Sequence, residues 1–302
     1  MPSFNEGLNV GDILSLLEGE FPHLEYVGPP DASVRGFSDP GDYRRGTAIW
    51  LGDRKYLNLP EGQESEVALL FCAPGMAGRE RFPATVLCAD PRNAFMRLVE
   101  LACPVDLEQG IHPTAVIDPS ATIGEGVFVG PHAVVEADAV VGKGSRLHAG
   151  CVVRSGVRIG ERCVIGGNAV IGNAGYGFRE NGGLVRLPHL GTAILGDDVE
   201  VGSCSVVDRG TFKDTLIGNG SKLDSMTNVG HNATVGRNCL VIGGCVGGNS
   251  SVGDDCELVH VLMKNRVRIG NGVRAGMGSV ILQDIPDGCT CFGNPARIIR
   301  KG

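Results

Sequence analysis

The sequence predicts a mostly β protein, a solenoid of short parallel strands preceded by a small α/β domain, and three observations carry that prediction. Every sixth residue from Ile111 to Ile171 is aliphatic: Ile111, Ile117, Ile123, Val129, Val135, Val141, Leu147, Val153, Ile159, Ile165 and Ile171. A six-residue period excludes an α-helix, whose apolar stripe recurs at 3.6, and fits strands separated by turns. Composition agrees, because 47 glycines and a single tryptophan among 302 residues suit tight corners around a narrow core of Val and Ile. The third observation is a change of pattern, since residues 1 to 106 show no hexad.

Three hexads close one triangular coil of about eighteen residues, with the aliphatic column pointing inward. The residue after the column is often Gly or acidic (Gly124, Gly130, Gly142, Gly160, Asp118, Glu136) and is expected to bend the corner. The period returns as Leu195, Val201 and Val207, then from Ile217 to Val241, then after a five-residue step as Val246, Val252 and Leu258, and last as Ile269, Ala275 and Ile281. About ten coils stacked at roughly 4.8 Å make a rod on the order of 45–50 Å long.

Ahead of the rod, Val10 to Phe21 and Arg92 to Cys103 carry helical apolar spacing, and Val67 to Cys72 and Ala84 to Cys88 read as buried strands. The expected organisation is a nucleotide-binding α/β domain over 1–106, a β-helix over 107–288 and a basic tail over 289–302. Trp50 and Tyr56 flank a polar turn containing Asp53. Two aromatics so placed can stack on both faces of a planar base while the turn reads its edge; equally, Trp50 can plug the domain core with Tyr56 on the surface.

A net charge of −7 with no long basic run argues against nucleic acid or an anionic membrane as partner. With no signal peptide and no apolar run long enough to span a bilayer, the chain reads as cytoplasmic, without an integral membrane segment. Of eleven cysteines, Cys151, Cys163, Cys239 and Cys245 fall on one phase of the repeat and are expected to be small buried wall residues rather than a disulfide framework. No structural metal is expected: no CxxC occurs, and no two histidines stand five apart as a His-x4-His zinc pair requires.

Two segments leave the repeat, Gly175 to Gly191 and Asp208 to Asp214, and loops extruded from a regular coil are where specificity usually sits. Among seven histidines, His231 follows an inward valine and a glycine, so its ring projects outward from a rigid edge. An imidazole there can take a proton from an amine attacking a thioester, although a plain surface histidine fits the same position. Gly248 falls one coil later, where its amide can face a developing oxyanion, and Asp224 can supply charge nearby.

Over nearly its whole length the chain resembles the UDP-3-O-acylglucosamine N-acyltransferases of lipid A synthesis. The likeness is carried by Asp53 to Tyr56, Asp90 to Phe95, Ile111 to Ala115, Gly175 to Phe178, Leu187 to Gly191, Gly196 to Gly202, Asp208 to Gly210, Lys222 to Asp224 and Gly230 to Asn232. This resemblance implies a left-handed parallel β-helix, a homotrimer, and transfer of a 3-hydroxyacyl group from acyl carrier protein to the amine of a nucleotide-linked aminosugar. It implies His231 as general base, Gly248 as oxyanion donor, Trp50 and Tyr56 as the base-stacking pair, and Asp53, His189 and Asp224 as substrate contacts. No tightly bound cofactor is implied, the thioester being a co-substrate.

Three features depart from the family pattern. Arg266 stands where a second active-site histidine is expected, Asp53 replaces an Asn in the base-reading turn, and no helical extension follows the last coil. The Gly293-Asn294-Pro295-Ala296-Arg297 ending instead resembles sugar acetyltransferases that use acetyl-CoA, with Arg297, Arg300 or Lys301 placed to meet CoA phosphates. The alternative activity is therefore acetyl transfer from CoA to a nucleotide-linked dideoxyaminosugar, and the remote one a non-catalytic solenoid scaffold.

Overall fold

The computed structural model describes residues 7–52, 62–103 and 109–301, divided into two compact units, Met1–Leu107 and Glu108–Gly302. Asp53 and Tyr56 lie outside the described residues.

The first unit is a four-stranded sheet in the order Glu25–Val27, Thr85–Leu87, Leu69–Cys72, Ala48–Leu51, with only the first pair antiparallel. Helices α1 (Val10–Leu17) and α2 (Pro91–Ala102) cover the face that carries Ala48, Phe71 and Val86. The first ends four residues sooner than its apolar spacing suggested and the second is shifted one residue earlier, and caps explain their starts. The Asn9 side chain accepts from the Asp12 N–H at 2.9 Å, and Asp90 accepts from the Asn93 N–H at 3.1 Å ahead of Pro91 in the first turn. Ile49, Leu51, Leu70 and Leu87 pack on the opposite face, so the strands are buried on both sides.

The second unit is the solenoid, built from an eight-stranded parallel wall and a seventeen-stranded sheet that folds round one edge to make the other two walls. Strands pair with the one a coil later, for example Val135 with Val153 and Val141 with Ile159, and the register shifts between Ile171 and Asn173 where Val170–Ala174 meets Val206–Arg209. The whole hexad column from Val129 to Ile281 is buried, joined by Met263, which fills the second five-residue step. The fold is a left-handed parallel β-helix.

The corners correct the expected role of glycine. The backbone turns three residues after the column, where Gly126, His132, Asp138, Gly144, Gly150 and Gly156 in succession have φ between 58° and 70°. Asn and Asp tolerate that left-handed region better than other residues, which explains Asn168, Asp198, Asn232, Asn238 and Asn249 at the same phase. The glycine directly after the column is required instead by close stacking of coils: a Cβ on Gly142 would lie 2.4 Å from the Gly160 carbonyl oxygen.

Two positions before the column, the small residues are buried and stitch one coil to the next. Ser145 Oγ donates to the Gly160 carbonyl at 2.9 Å and Ser221 Oγ to Gly236 at 2.7 Å, while the Cys163 and Cys239 thiols donate to Gly196 and Gly253 at 3.0 Å. Cys245 does not belong with them. The five-residue step from Val241 to Val246 shifts its phase, so it faces outward and is only half-buried.

The last coil runs past the expected limit of 288. Thr290–Phe292 still pairs in parallel with Arg274–Ala275, and Arg297–Arg300 then returns antiparallel to it, so the basic tail is an exposed edge strand.

Candidate active site

His231 sits two residues beyond the strand Thr227–Val229, half-buried, beneath the loop that leaves the coil at Gly175. It is Asn232 with φ 63°, not Gly230, that turns the chain and throws the imidazole outward. Two neighbouring segments close over the ring. The inserted segment forms a hairpin of Phe178–Glu180 with Leu184–Arg186 and then lays His189 against His231, ring centroids 5.4 Å apart and edge to face. The Asp208–Asp214 excursion brings Thr211 Oγ1 to 3.5 Å from His231 Nδ1.

The hydrogen-bond network assigns the tautomer. Asn232 Nδ2 donates to the Lys213 carbonyl at 2.7 Å, which orients Oδ1 toward the Thr211 N–H at 3.2 Å and His231 Nδ1 at 2.9 Å. An amide oxygen only accepts, so Nδ1 carries the proton and Nε2 presents a lone pair. That lone pair faces Gly248, on which a Cβ would fall 3.0 Å from Nε2. Gly248 thus keeps the base accessible. Its N–H donates to Asn265 Oδ1 at 2.9 Å, and Arg266 follows directly, its N–H on the Gly248 carbonyl at 3.0 Å.

Below the two imidazoles lies Asp208, only 9% exposed. Its Oδ1 accepts from Asn173 Nδ2 at 3.0 Å. Burial pushes its carboxyl above the ordinary value, while the Asn173 hydrogen bond and the charges of His231 and His189 pull it back. His189 Nδ1 meets the Leu187 carbonyl at 3.2 Å, and its Nε2 is buried without a partner.

Of the residues predicted from sequence, the structure brings together His231, His189 and Gly248. Asp224 is on a different wall: it follows the strand Lys222–Leu223, is exposed, caps the Ser225 N–H at 2.7 Å and borders a groove of about 660 Å³ with His148 and Lys222. The carboxylate beside His231 is Asp208, which sequence reasoning left unassigned, together with Asn173, Thr211, Asn232 and Asn265. Arg297 and Arg300 are exposed on the terminal strand and Lys301 just past its end, with Arg297 at the edge of a separate hollow beside Ile281 and Pro295.

In the first unit, Trp50 is half-buried, with one side lining a 360 Å³ hollow with Phe37, Phe95, Met96 and Val99 and another exposed beside Pro40, Gly41 and Gly52. Phe37 and Phe95 meet edge to face at 5.5 Å, so the hollow is an aromatic one. Ser38 and Asp39 stand at its rim.

With this geometry in place, comparison with known proteins is decisive on family. The UDP-3-O-acylglucosamine N-acyltransferase of Delftia acidovorans is 43% identical over 236 residues, 72% of this chain and 70% of that protein. The chain belongs to the UDP-3-O-acylglucosamine N-acyltransferase family. The Coxiella burnetii member is 38% identical over 241 residues, covering 73% of this chain and 69% of that one. The match to the Methylorubrum extorquens (strain PA1) member is shorter, 34% over 140 residues, 44% of this chain and 38% of the relative's length. The family model described as the GMPPB C-terminal domain matches residues 109–216, within the repeat. Among solved structures, the UDP-N-acetylglucosamine acyltransferase of Bacteroides fragilis 9343 aligns with a TM-score of 0.58 at 28% identity, over 63% of this chain and 73% of that one. The Campylobacter jejuni UDP-N-acetylglucosamine acyltransferase shares the fold, with a TM-score of 0.56 at 21% identity and the same coverage of both chains.

Proposed function

We propose that the protein is an N-acyltransferase that moves an acyl group from a thioester to the amine of a nucleotide-linked aminosugar, in the manner named for its relatives. The observation that carries this is the His231 tautomer: Nδ1–H tied to Asn232, and Nε2 open over a residue without a side chain. The amine nitrogen attacks the thioester carbonyl while Nε2 accepts its proton; the tetrahedral intermediate then collapses, and the imidazolium returns the proton to the departing thiolate. For the Gly248 N–H to hold the oxyanion, that oxygen takes the place of Asn265 Oδ1, which now occupies the donor.

We assign the base to the face of Trp50, whose hollow is lined by Phe37 and Phe95; Asp53 and Tyr56, its expected partners from the sequence, lie outside the described residues. His189 serves the sugar beside His231. The donor is an acyl carrier protein or CoA thioester; Arg297, Arg300 and Lys301 are the exposed cations that would meet CoA phosphates.

A homotrimer is supported by the outer face of one wall. Val116, Val134, Val152, Val170 and Val206 lie in register down it and continue to Leu262 and Val280, interrupted only by Asn228 and Cys245. The other two outer faces carry charges such as Arg158 and Arg268, or Arg146, Glu200, Lys222 and Glu257. An uncharged face of this kind suits another copy of the chain, and His231 lies at its border. Among the described residues no helix is long and apolar enough to cross a membrane, and all eleven thiols are unpaired, as a cytoplasmic setting would keep them.

The test is His231→Ala in the full chain, assayed by mass spectrometry with acetyl-CoA or acyl carrier thioesters against a panel of aminosugar nucleotides. A fall of about 10²–10⁴ in turnover is expected. Undiminished acyl transfer would remove His231 from the chemistry, and no transfer to any aminosugar by the wild type would favour a scaffold.

A further inference from the structure

The mechanism just described leaves the buried carboxylate beside His231 unused. Asp208 stands at the end of a strand, Val206–Arg209, whose register places it one coil before Gly230 and His231, with Val206 opposite Asn228 and Val207 opposite Val229. A carboxylate only 9% exposed is costly to maintain unless something nearby repays its lost hydration. Asn173 supplies one hydrogen bond. The adjacent cation Arg209 supplies none of the compensation, because its guanidinium is spent on the Gly191 and Ser155 carbonyls at 2.8 and 3.0 Å. The titratable groups facing Asp208 are His231 from its own corner, His189 from the hairpin loop, and the Cys245 thiol from the strand below. Cys245 is held above its ordinary value by burial first and by Asp208 second, so it stays a neutral thiol and adds no charge.

We propose that Asp208 is a positioning residue whose carboxylate stabilises the imidazolium formed on His231 when it takes the substrate's proton, with His189 sharing the same field. The inference rests on the proposed reaction but adds a residue to it. Two features make it more than a packing role. The first is placement: the strand register stacks Asp208 one coil from His231, so a buried carboxylate and the imidazole share one edge across a coil spacing of about 4.8 Å. The second is the His189 Nε2, buried with no partner and directed at the space over Gly175, where a Cβ would lie 2.7 Å from it and 2.9 Å from His231 Cβ.

The experiment is Asp208→Asn in the full chain, read in two ways. Histidine titration by NMR, which needs no substrate, is expected to show the His231 midpoint about one pH unit lower than in the wild type, with His189 lowered as well. The pH profile of kcat/KM with the best thioester and aminosugar nucleotide is expected to show its acid limb displaced downward by the same amount. Its plateau should be about 10–100-fold lower, carried in kcat with KM unchanged. Asp208→Glu, which retains the charge, should restore most of the midpoint shift. Should Asp208→Asn fail to fold, Asp208→Ser carries the same expectation. Midpoints that stay within 0.2 unit, roughly a fifth of the shift expected, in a variant that melts as a folded protein would overturn the inference and leave Asp208 a packing residue. Shifted midpoints without any acyl transfer would uphold the electrostatic coupling and reject the proposed reaction instead.

Discussion

Gly248→Ala isolates the open side of His231 with a single methyl group. The backbone of Gly248 does not need glycine, since its φ is not in the left-handed region. The space does. An added Cβ would stand 3.0 Å from His231 Nε2, 3.2 Å from Cδ2 and 3.3 Å from the His231 carbonyl oxygen. The last contact is backbone and cannot relax, so the ring must give way by a few tenths of an ångström against His189, already in edge contact at 5.4 Å between centroids. Overpacking of that size costs about 1–3 kcal/mol, which in a long solenoid leaves the protein folded. The chemical effect is larger. An amine must approach to about 2.6–3.2 Å from Nε2 for its proton to pass, which is where the methyl would sit. Displacement of a reacting group by about 1 Å costs on the order of 10² in rate, so kcat should fall about 100-fold with the melting temperature only slightly lower. Steady-state acyl transfer at saturating substrates, paired with a thermal melt, measures both. Wild-type turnover in Gly248→Ala would mean that Nε2 does not face the nucleophile, and the assignment of the open side would fail.

Gly142→Ala and Gly156→Ala separate the two uses of glycine in the coil. The first places a Cβ 2.4 Å from the Gly160 carbonyl oxygen and 2.5 Å from its carbon, both backbone, and should destabilise by more than the roughly 1–2 kcal/mol that a left-handed alanine costs at Gly156, where φ is 70° and nothing stands within 4 Å; chemical denaturation orders them. Trp50→Ala should raise KM for the nucleotide sugar about tenfold with kcat nearly unchanged, because the base contributes binding common to ground and transition states. An unchanged KM would return Trp50 to the role of a domain-core plug.

The fold was legible because its period is written into every coil. One aliphatic in six specifies an inward side chain from Ile117 onward without knowledge of neighbours, and even the five-residue steps show as local phase slips, while Ile111 on the first coil is 54% exposed. The site was legible only where chemistry and period coincide. His231 is a polar ring directly after a column valine, and Gly248 follows by counting one coil. Asp208 gave no such signal, since it lies just past the column residue Val207 where the repeat lapses, and only the pairing of Val206 and Val207 with Asn228 and Val229 stacks it against His231. Asp224 attracted attention because it is seven residues before the histidine, close in sequence but on another wall, as a triangular coil places residues separated by about one hexad.

The same geometry explains why the acidic partner comes from an adjacent coil rather than from the same one. Within one coil, successive edges lie on different sides of the prism, so a side chain at one corner cannot reach the next. Across coils the spacing is about 4.8 Å, within reach of a hydrogen bond or a shared charge, and the rod's salt bridges follow that rule: Lys143 with Glu125, Arg154 with Glu136, Arg162 with Asp198, Arg237 with Asp254. On the proposed mechanism His231 is therefore tuned from above and below, by Asp208 and by Gly248 with Asn265, while the segment after Gly175 sets His189 beside it. Substitutions one coil away from His231 should alter its chemistry more than substitutions six residues away in sequence.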